Sequence, residues 1–318
     1  MMLLFNLQTL LAIILISNLP VQCSALLAQR GFCATAGPDG SLRAEHRRLN
    51  DLESQHETAH EDNREAVSSI EIETWFHIVS SNGAANTVSD EMITSQLSYL
   101  QKAYQSATIS YRLEGVTRQV NDSWARNDDE LGMKNALRRG NYSTLNVYFQ
   151  TDLQESSDGA SRATREVDNA RTDVSDQSSN VLGFCTLPDP SVNASSPRSS
   201  YIKDGCNVLA ETMPGGSLTQ YNQGGTAVHE IGHWNGLLHT FEGESCSADN
   251  EGDYIDDTPE QSEPTNGCPA EKDSCPDLPG LDAIHNFMDY SSDDCYENFT
   301  PDQAQRMRSM WFAMREGK

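Results

Sequence analysis

An α/β domain is the expected fold, and three features of the 318-residue chain predict it. Between Ile70 and Phe149, stretches of alternating apolar and polar residues take turns with stretches of helical spacing, the order of a layered α/β architecture. The run His229-Glu230-Ile231-Gly232-His233 puts two imidazoles one turn apart on a helix that Gly236 can end. Past His239 the chain turns rich in Gly, Pro, Asp and Ser and carries four cysteines, the composition of a loop-rich part stapled by disulfides.

Taken in order, residues 1–22 are uncharged, and the apolar run from Leu10 to Leu19 is too short to span a bilayer. With small residues at Cys23, Ser24 and Ala25, residues 1–23 read as a secretory signal peptide that lacks the usual basic start. A signal anchor is the alternative. No later segment is apolar enough to cross a membrane, so the expected product is secreted, extracellular and free of the membrane once the signal is removed. An oxidising route favours disulfides, and the sequons at Asn121, Asn141, Asn193 and Asn298 are candidate glycosylation sites.

Residues 24–68 read as a propeptide. From Pro38 to about Ser68 the chain is rich in Glu, Arg, His and Asn, a composition that cannot bury a core. Of eight cysteines, seven remain if Cys23 leaves with the signal, and Cys33 is the candidate for the odd one. Its thiolate could cap a metal and keep a zymogen silent; a spare thiol and a bridge to Cys23 are the other readings. The net charge is −25, and residues 24–68 hold five arginines against eight acids, so 69–318 keeps −22. Nucleic acid is therefore excluded as a partner on charge, and solubility is the plain reading of the acidity. A monomer is expected.

Ile70, Ile72, Thr74, Phe76 and Ile78 alternate with Glu71, Glu73, Trp75 and His77, a half-buried strand with His77 on its surface side. Ser89 caps a helix that opens with Asp90 and Glu91 and carries Ile93, Leu97, Leu100 and Tyr104 on one face. A strand over Ile109–Val120, a helix over Glu130–Arg139 and a strand at Leu145, Val147 and Phe149 follow. Glu155–Asn180 is almost without apolar residues and is expected to be a mobile surface loop. Val181–Thr186 and Cys206–Ala210 are short strands, and a Cys185–Cys206 disulfide is expected between them. Thr300 and Gln303 make a capping box with Pro301 at the first helical position, and Met307, Met310, Trp311 and Met314 form an apolar stripe of core.

The chemistry lies in His229-Glu230-Ile231-Gly232-His233-Trp234-Asn235-Gly236-Leu237-Leu238-His239. His229 and His233 share a helix face, and a left-handed Gly236 turns the chain back to bring His239 in as third ligand of zinc (Zn2+). Three protein nitrogens leave a position open for water, whose pKa falls toward 7 on the metal. Glu230 is then the general base. Downstream, Met288 in Asn286-Phe287-Met288-Asp289-Tyr290 offers an apolar floor on a tight turn, and Tyr290 is a candidate to reach the metal or an oxyanion, with packing as its alternative.

HExxHxxGxxH followed by a methionine turn is the metzincin pattern, and the wording HEIGHWNGLLHTFEG with NFMDYS resembles the pappalysin (cytophagalysin) family, in particular its small secreted fungal members. The resemblance runs from about Ile70 to Trp311. It implies a metzincin-like zincin domain at 69–318 and a secreted zinc endopeptidase acting on proteins or peptides. It also implies a strand at Val181–Thr186 that forms the sheet edge and receives extended substrate, and the pairings Cys246–Cys275 and Cys268–Cys295 that pin the methionine turn. It supports the switch reading of Cys33 through an Arg-x-Cys-Gly-like element, although Phe32 is inserted here and Ala34 replaces the glycine. Some members bind calcium (Ca2+). Asp253, Asp256, Asp257 and Thr258 are the oxygen donors for it here, with a solvated acidic loop the preferred reading. The rival function is a secreted zinc-binding interaction protein without catalysis. A closed structural site needs a fourth protein ligand, which the motif lacks and Cys33 alone could supply.

Overall fold

The computed structural model describes residues 31–59, 68–155 and 181–318; the expected signal peptide at 1–23 and residues 156–180 of the expected surface loop lie outside the described residues. Strands β1 (Gly31–Cys33), β2 (Ile70–Ser80), β3 (Ile109–Val120), β4 (Leu145–Gln150), β5 (Val181–Cys185) and β6 (Cys206–Leu209) form one mixed sheet in the order β1-β5-β6-β4-β2-β3. Neighbours run parallel except β5 against β6. The helices are α1 (Gly40–Ala59), α2 (Asp90–Ala103), α3 (Asp122–Ala125), α4 (Glu130–Leu137), α5 (Gly225–Trp234) and α6 (Pro301–Met310), the last continuing as a π-helical turn through Arg315.

One face of the sheet carries the main core. Ile72, Phe76, Ile78, Val147, Phe149 and Val208 pack there against Ile93 and Leu100 of α2, Val228 and Ile231 of α5, and Met307 of α6. The Ser89 side chain caps α2 by accepting from the Met92 amide, and beyond its end the Tyr104 hydroxyl donates to the Val228 carbonyl at 2.7 Å, which ties α2 to α5. On the opposite face Val79 and Tyr148 pack against Met133 and Leu137 of α4. Because both faces are covered, β2 alternates only at its start and is fully buried from Phe76 onward.

Two expectations are corrected. His77 is not on the surface: it is completely buried, with Nδ1 at 2.8 Å from Thr117 Oγ1 and Nε2 at 3.0 Å from Asn146 Oδ1, and burial lowers its pKa to about 4. The tract after Pro38 forms α1 over Gly40–Ala59. Such a sequence cannot enclose a core of its own, yet Leu42 and Leu49 give it one apolar stripe, which rests on Met310 and Met314. Nor does β5 stand at the sheet edge; β1, from the expected propeptide, pairs with it in parallel and takes that place.

Behind α5 lies a buried charge cluster. The Asp204 carboxylate accepts from Arg315 and Thr186 at Oδ1 and from Arg138 and the Trp234 indole at Oδ2, all within 3.2 Å, while the Arg315 guanidinium lies 3.6 Å above the Trp234 ring. Burial works to raise the pKa of Asp204, but Arg315 and Arg138 outweigh it and hold the carboxyl below its ordinary value. A lowered folded-state pKa stabilises the fold above the unfolded pKa of about 4 and ceases to do so as pH falls through the lowered value. Asp204→Ala strands two buried guanidinium groups and is expected to cost about 3–5 kcal/mol of stability near pH 7. The gap to the parent should narrow below about pH 4, as urea unfolding across pH will show.

Candidate active site

Gly224 leads into α5, and every residue of the helix is buried. His229 and His233 stand on adjacent turns of its face, as their spacing requires. The helix stops at Asn235 because Gly236 takes φ +93°, and the Leu237 amide returns to the Gly232 carbonyl at 2.9 Å. A side chain at Gly236 would be strained and would meet Met310 Cγ at 2.6 Å. This reversal delivers His239.

The imidazole tautomers follow from their second nitrogens. His229 Nδ1 donates to the Phe287 carbonyl at 2.7 Å, and His233 Nδ1 to the Leu237 carbonyl at 2.8 Å, so each leaves Nε2 as a bare lone pair. His233 Nε2 lies 3.2 Å from that of His229 and 3.1 Å from that of His239. Burial first, and the neighbouring imidazoles second, keep His229 and His233 well below the ordinary histidine pKa. These two lone pairs and the Nε2 of His239 converge on one point, an arrangement that suits a cation.

Met288 is fully buried beneath this cluster, and a Cβ at Gly232 would stand 2.5 Å from its Sδ, so only glycine fits there. The methionine turn is held by the Asn286 side chain, which accepts from the Met288 amide and exchanges two hydrogen bonds with Gln303 of the α6 capping box. The disulfides of the structure are Cys185–Cys206, directly opposite each other across β5 and β6, Cys246–Cys275 and Cys268–Cys295.

Among the described residues Cys33 is the free cysteine. Its Sγ lies 3.5 Å from His233 Nε2 and 3.4 Å from Glu230 Oε2, and its ligand atom and those of the three histidines all fall within 4.8 Å of one another. Burial and then the Glu230 charge push the thiol pKa up. Glu230 is itself buried, which raises its carboxyl to about 8 although Cys33 and Thr35 donate to it. The Tyr290 hydroxyl is 3.2 Å from His239 Nε2 and 3.4 Å from the Cys33 carbonyl.

Three participants escaped sequence reasoning. Thr35 Oγ1 donates to Glu230 Oε2 at 3.1 Å and accepts from the Cys185 amide at 2.8 Å, bridging the acid to strand β5. Phe32 stacks on Tyr290 with ring centres 4.5 Å apart. Gly183 lies so close to Glu230 that a Cβ would fall 2.7 Å from its Cγ and 2.8 Å from Oε1. Only the placing of Thr35 two residues beyond Cys33 hinted at any of this.

The other candidate residues lie away from the cluster. Asp253 accepts from the Ile255 amide and the Thr258 hydroxyl, Asp256 faces Asn50, and Asp257 accepts from the Asp302 amide. Asn141, Asn193 and Asn298 are exposed, while Asn121 is half-buried and caps α3 through its Oδ1.

Residues 170–311 match the family model described as pregnancy-associated plasma protein-A, of the M43 peptidases. An extracellular metalloprotease of Aspergillus oryzae is 66% identical over 308 residues, covering 96% of this chain and 97% of the relative. The chain belongs to the pappalysin family. Another such relative, from Aspergillus fumigatus, is 65% identical over 312 residues, covering 97% of each. The pappalysin fold recurs in mature mirolysin of Tannerella forsythia in complex with a cleaved peptide, at TM-score 0.57 and 24% identity over 79% of this chain and 97% of that one. A promirolysin mutant gives 0.59 at 24% identity over 89% and 94%. This pappalysin is an extracellular metalloprotease with a metzincin fold, and no helix among the described residues is long and apolar enough to cross a membrane.

In this pappalysin Gly183 faces the movable end of Glu230 rather than backbone, so Gly183→Ala should displace the carboxylate more than it disturbs the fold. Proteolytic turnover is expected to fall at least about tenfold, with the melting temperature close to that of the parent. A loss of activity matched by a large drop in melting temperature would refute that division.

Proposed function

We propose that this chain is a zinc-dependent endopeptidase that is secreted in latent form, with residues 1–23 as signal, 24–68 as propeptide and 69–318 as catalytic domain. The observation that carries the reading is the convergence of the His229, His233 and His239 Nε2 atoms beside Glu230, with the Cys33 sulfur drawn to the same point. The donor set fits zinc: neutral imidazoles oriented by backbone carbonyls, and a thiol whose raised pKa calls for a cation before it can serve as thiolate. When bound, zinc supplies Lewis acidity that polarises a peptide carbonyl and brings the pKa of water toward 7.

The chain's own residues do the rest. Glu230 takes a proton from the attacking water at a carboxylate oxygen and returns it to the leaving nitrogen; its buried position favours the proton-holding form between the two transfers. Tyr290, next to His239, donates its hydroxyl to the oxygen that becomes negative as the carbonyl turns tetrahedral. Strand β5, once β1 has left, offers its free main-chain groups to an extended peptide. In the latent form Cys33 covers the metal position while Thr35 engages the general base, so both catalytic elements are blocked from one strand.

Cys33 is also what favours a closed, non-catalytic zinc site. It comes, however, from the segment read as removable, which leaves three ligands behind. The decisive comparison is parent against Glu230→Gln, with metal content measured on both. The variant should keep its zinc and lose casein hydrolysis by a factor of about 10³ or more, the scale of removing a general base together with its charge. Chelation should abolish the parent's activity and zinc restore it. Full activity in Glu230→Gln, or in the chelated parent, would end the proposal.

A further inference from the structure

Helix α1 lies against the rest of the molecule through one narrow stripe. Leu42, His46, Leu49 and Glu53 are spaced four, three and four residues apart, so they share a helix face, and the first three are buried. Leu42 and Leu49 sit on Met310 and Met314. Between them Arg306 of α6, with none of its surface exposed, uses its guanidinium almost wholly on this helix. Nε donates to Glu53 Oε2 at 2.9 Å, Nη1 to His46 Nδ1 at 3.1 Å and Nη2 to Asn50 Oδ1 at 3.1 Å; the remaining partner is the Tyr254 carbonyl at 2.9 Å. At the margin His46 stacks on Tyr254, Arg47 pairs with Glu251, and Asn50 reaches Asp256.

We propose that this groove, walled by α6 and the Glu251–Asp256 loop, is a docking surface for α1 that retains the N-terminal segment after its link to the catalytic part is cut. The segment then acts as a non-covalent inhibitor with two anchors, α1 on Arg306 and β1 with Cys33 in the cleft. The reason is energetic. Departure of α1 leaves a guanidinium built into a buried site with one of its four partners, beside two bare methionines, and the segment that matches both is at hand. The charge pattern is complementary in both directions, Arg306 to Glu53 and Glu251 to Arg47. Joined to the cleft strand by the short run from Ala34 to Asp39, the helix raises the local concentration of Cys33 at the metal position. The thiol is therefore not the sole source of latency. The inference rests on residues 24–68 being a propeptide.

The test uses the full secreted chain with a recognition sequence for a specific protease placed within residues 60–67. After complete cutting, native mass spectrometry and gel filtration at micromolar concentration should find the segment still bound, and Cys33→Ala should not release it. Casein hydrolysis should stay at least about tenfold below that of the same sample once the segment is stripped away. Leu49→Asp, which alters only the segment, and Arg306→Ala should each weaken retention by about a hundredfold. Separation of the parent's segment on cutting, or unchanged retention in Leu49→Asp, would overturn the proposal. Retention with a stripped, zinc-loaded chain that cuts no protein would instead refute the zinc-endopeptidase reading proposed above and leave the docking surface standing, because retention is read by mass and not by turnover.

Discussion

Three imidazole nitrogens are gathered at one point, two of them as bare lone pairs that repel each other, and much of this molecule is arranged to keep them there. Two of the rings are oriented by carbonyls from opposite directions, Leu237 in the turn that ends α5 and Phe287 in the methionine turn. The first carbonyl exists only because Gly236 reverses the chain, and the second is placed by the Asn286–Gln303 pair and the nearby Cys268–Cys295 bridge. A cation held there would relieve the repulsion and so couple its own binding to local order. The contact of Gly232 with Met288 closes the floor and leaves the face toward β5 as the approach.

That approach is where the two parts of the chain meet. Strand β1 adds to β5 by the same main-chain pairing an extended peptide would use, and side chains of β1 and of the two residues after it reach each working group in turn: Phe32 on Tyr290, Cys33 beside the histidines, Thr35 on Glu230. A segment of three paired residues could not hold such a position alone. Helix α1, six residues further along, supplies the grip on α6 through the buried guanidinium of Arg306, three of whose four partners lie on this helix.

The remaining rigidity comes from behind α5. Asp204 gathers Arg138, Arg315 and Trp234, so the loop before β6, the end of α4, the C-terminal turn and α5 are joined at one carboxylate. The fold thus clamps α5 from both sides, with the sheet and Tyr104 on one and this cluster on the other.

The sequence by itself determined whatever depends on short spacing. Histidines four apart must share a helix face, Gly236 must be where that helix turns, and Ser89 and Thr300 announce their helices because caps are local. Period-two runs located the strands for the same reason. Only the tertiary structure decided what depends on meetings between distant segments. His77 is buried because its face of the sheet is covered and Thr117 of β3 and Asn146 of β4 take its two nitrogens, which no pattern within β2 reveals. The stretch Gly40–Ala59 is too polar to enclose a core of its own and is held as a helix where Met310 and Met314 lie opposite Leu42 and Leu49. Thr35 and Gly183 acquire their importance from Glu230, a residue far along the chain that the fold brings to within a bond's reach.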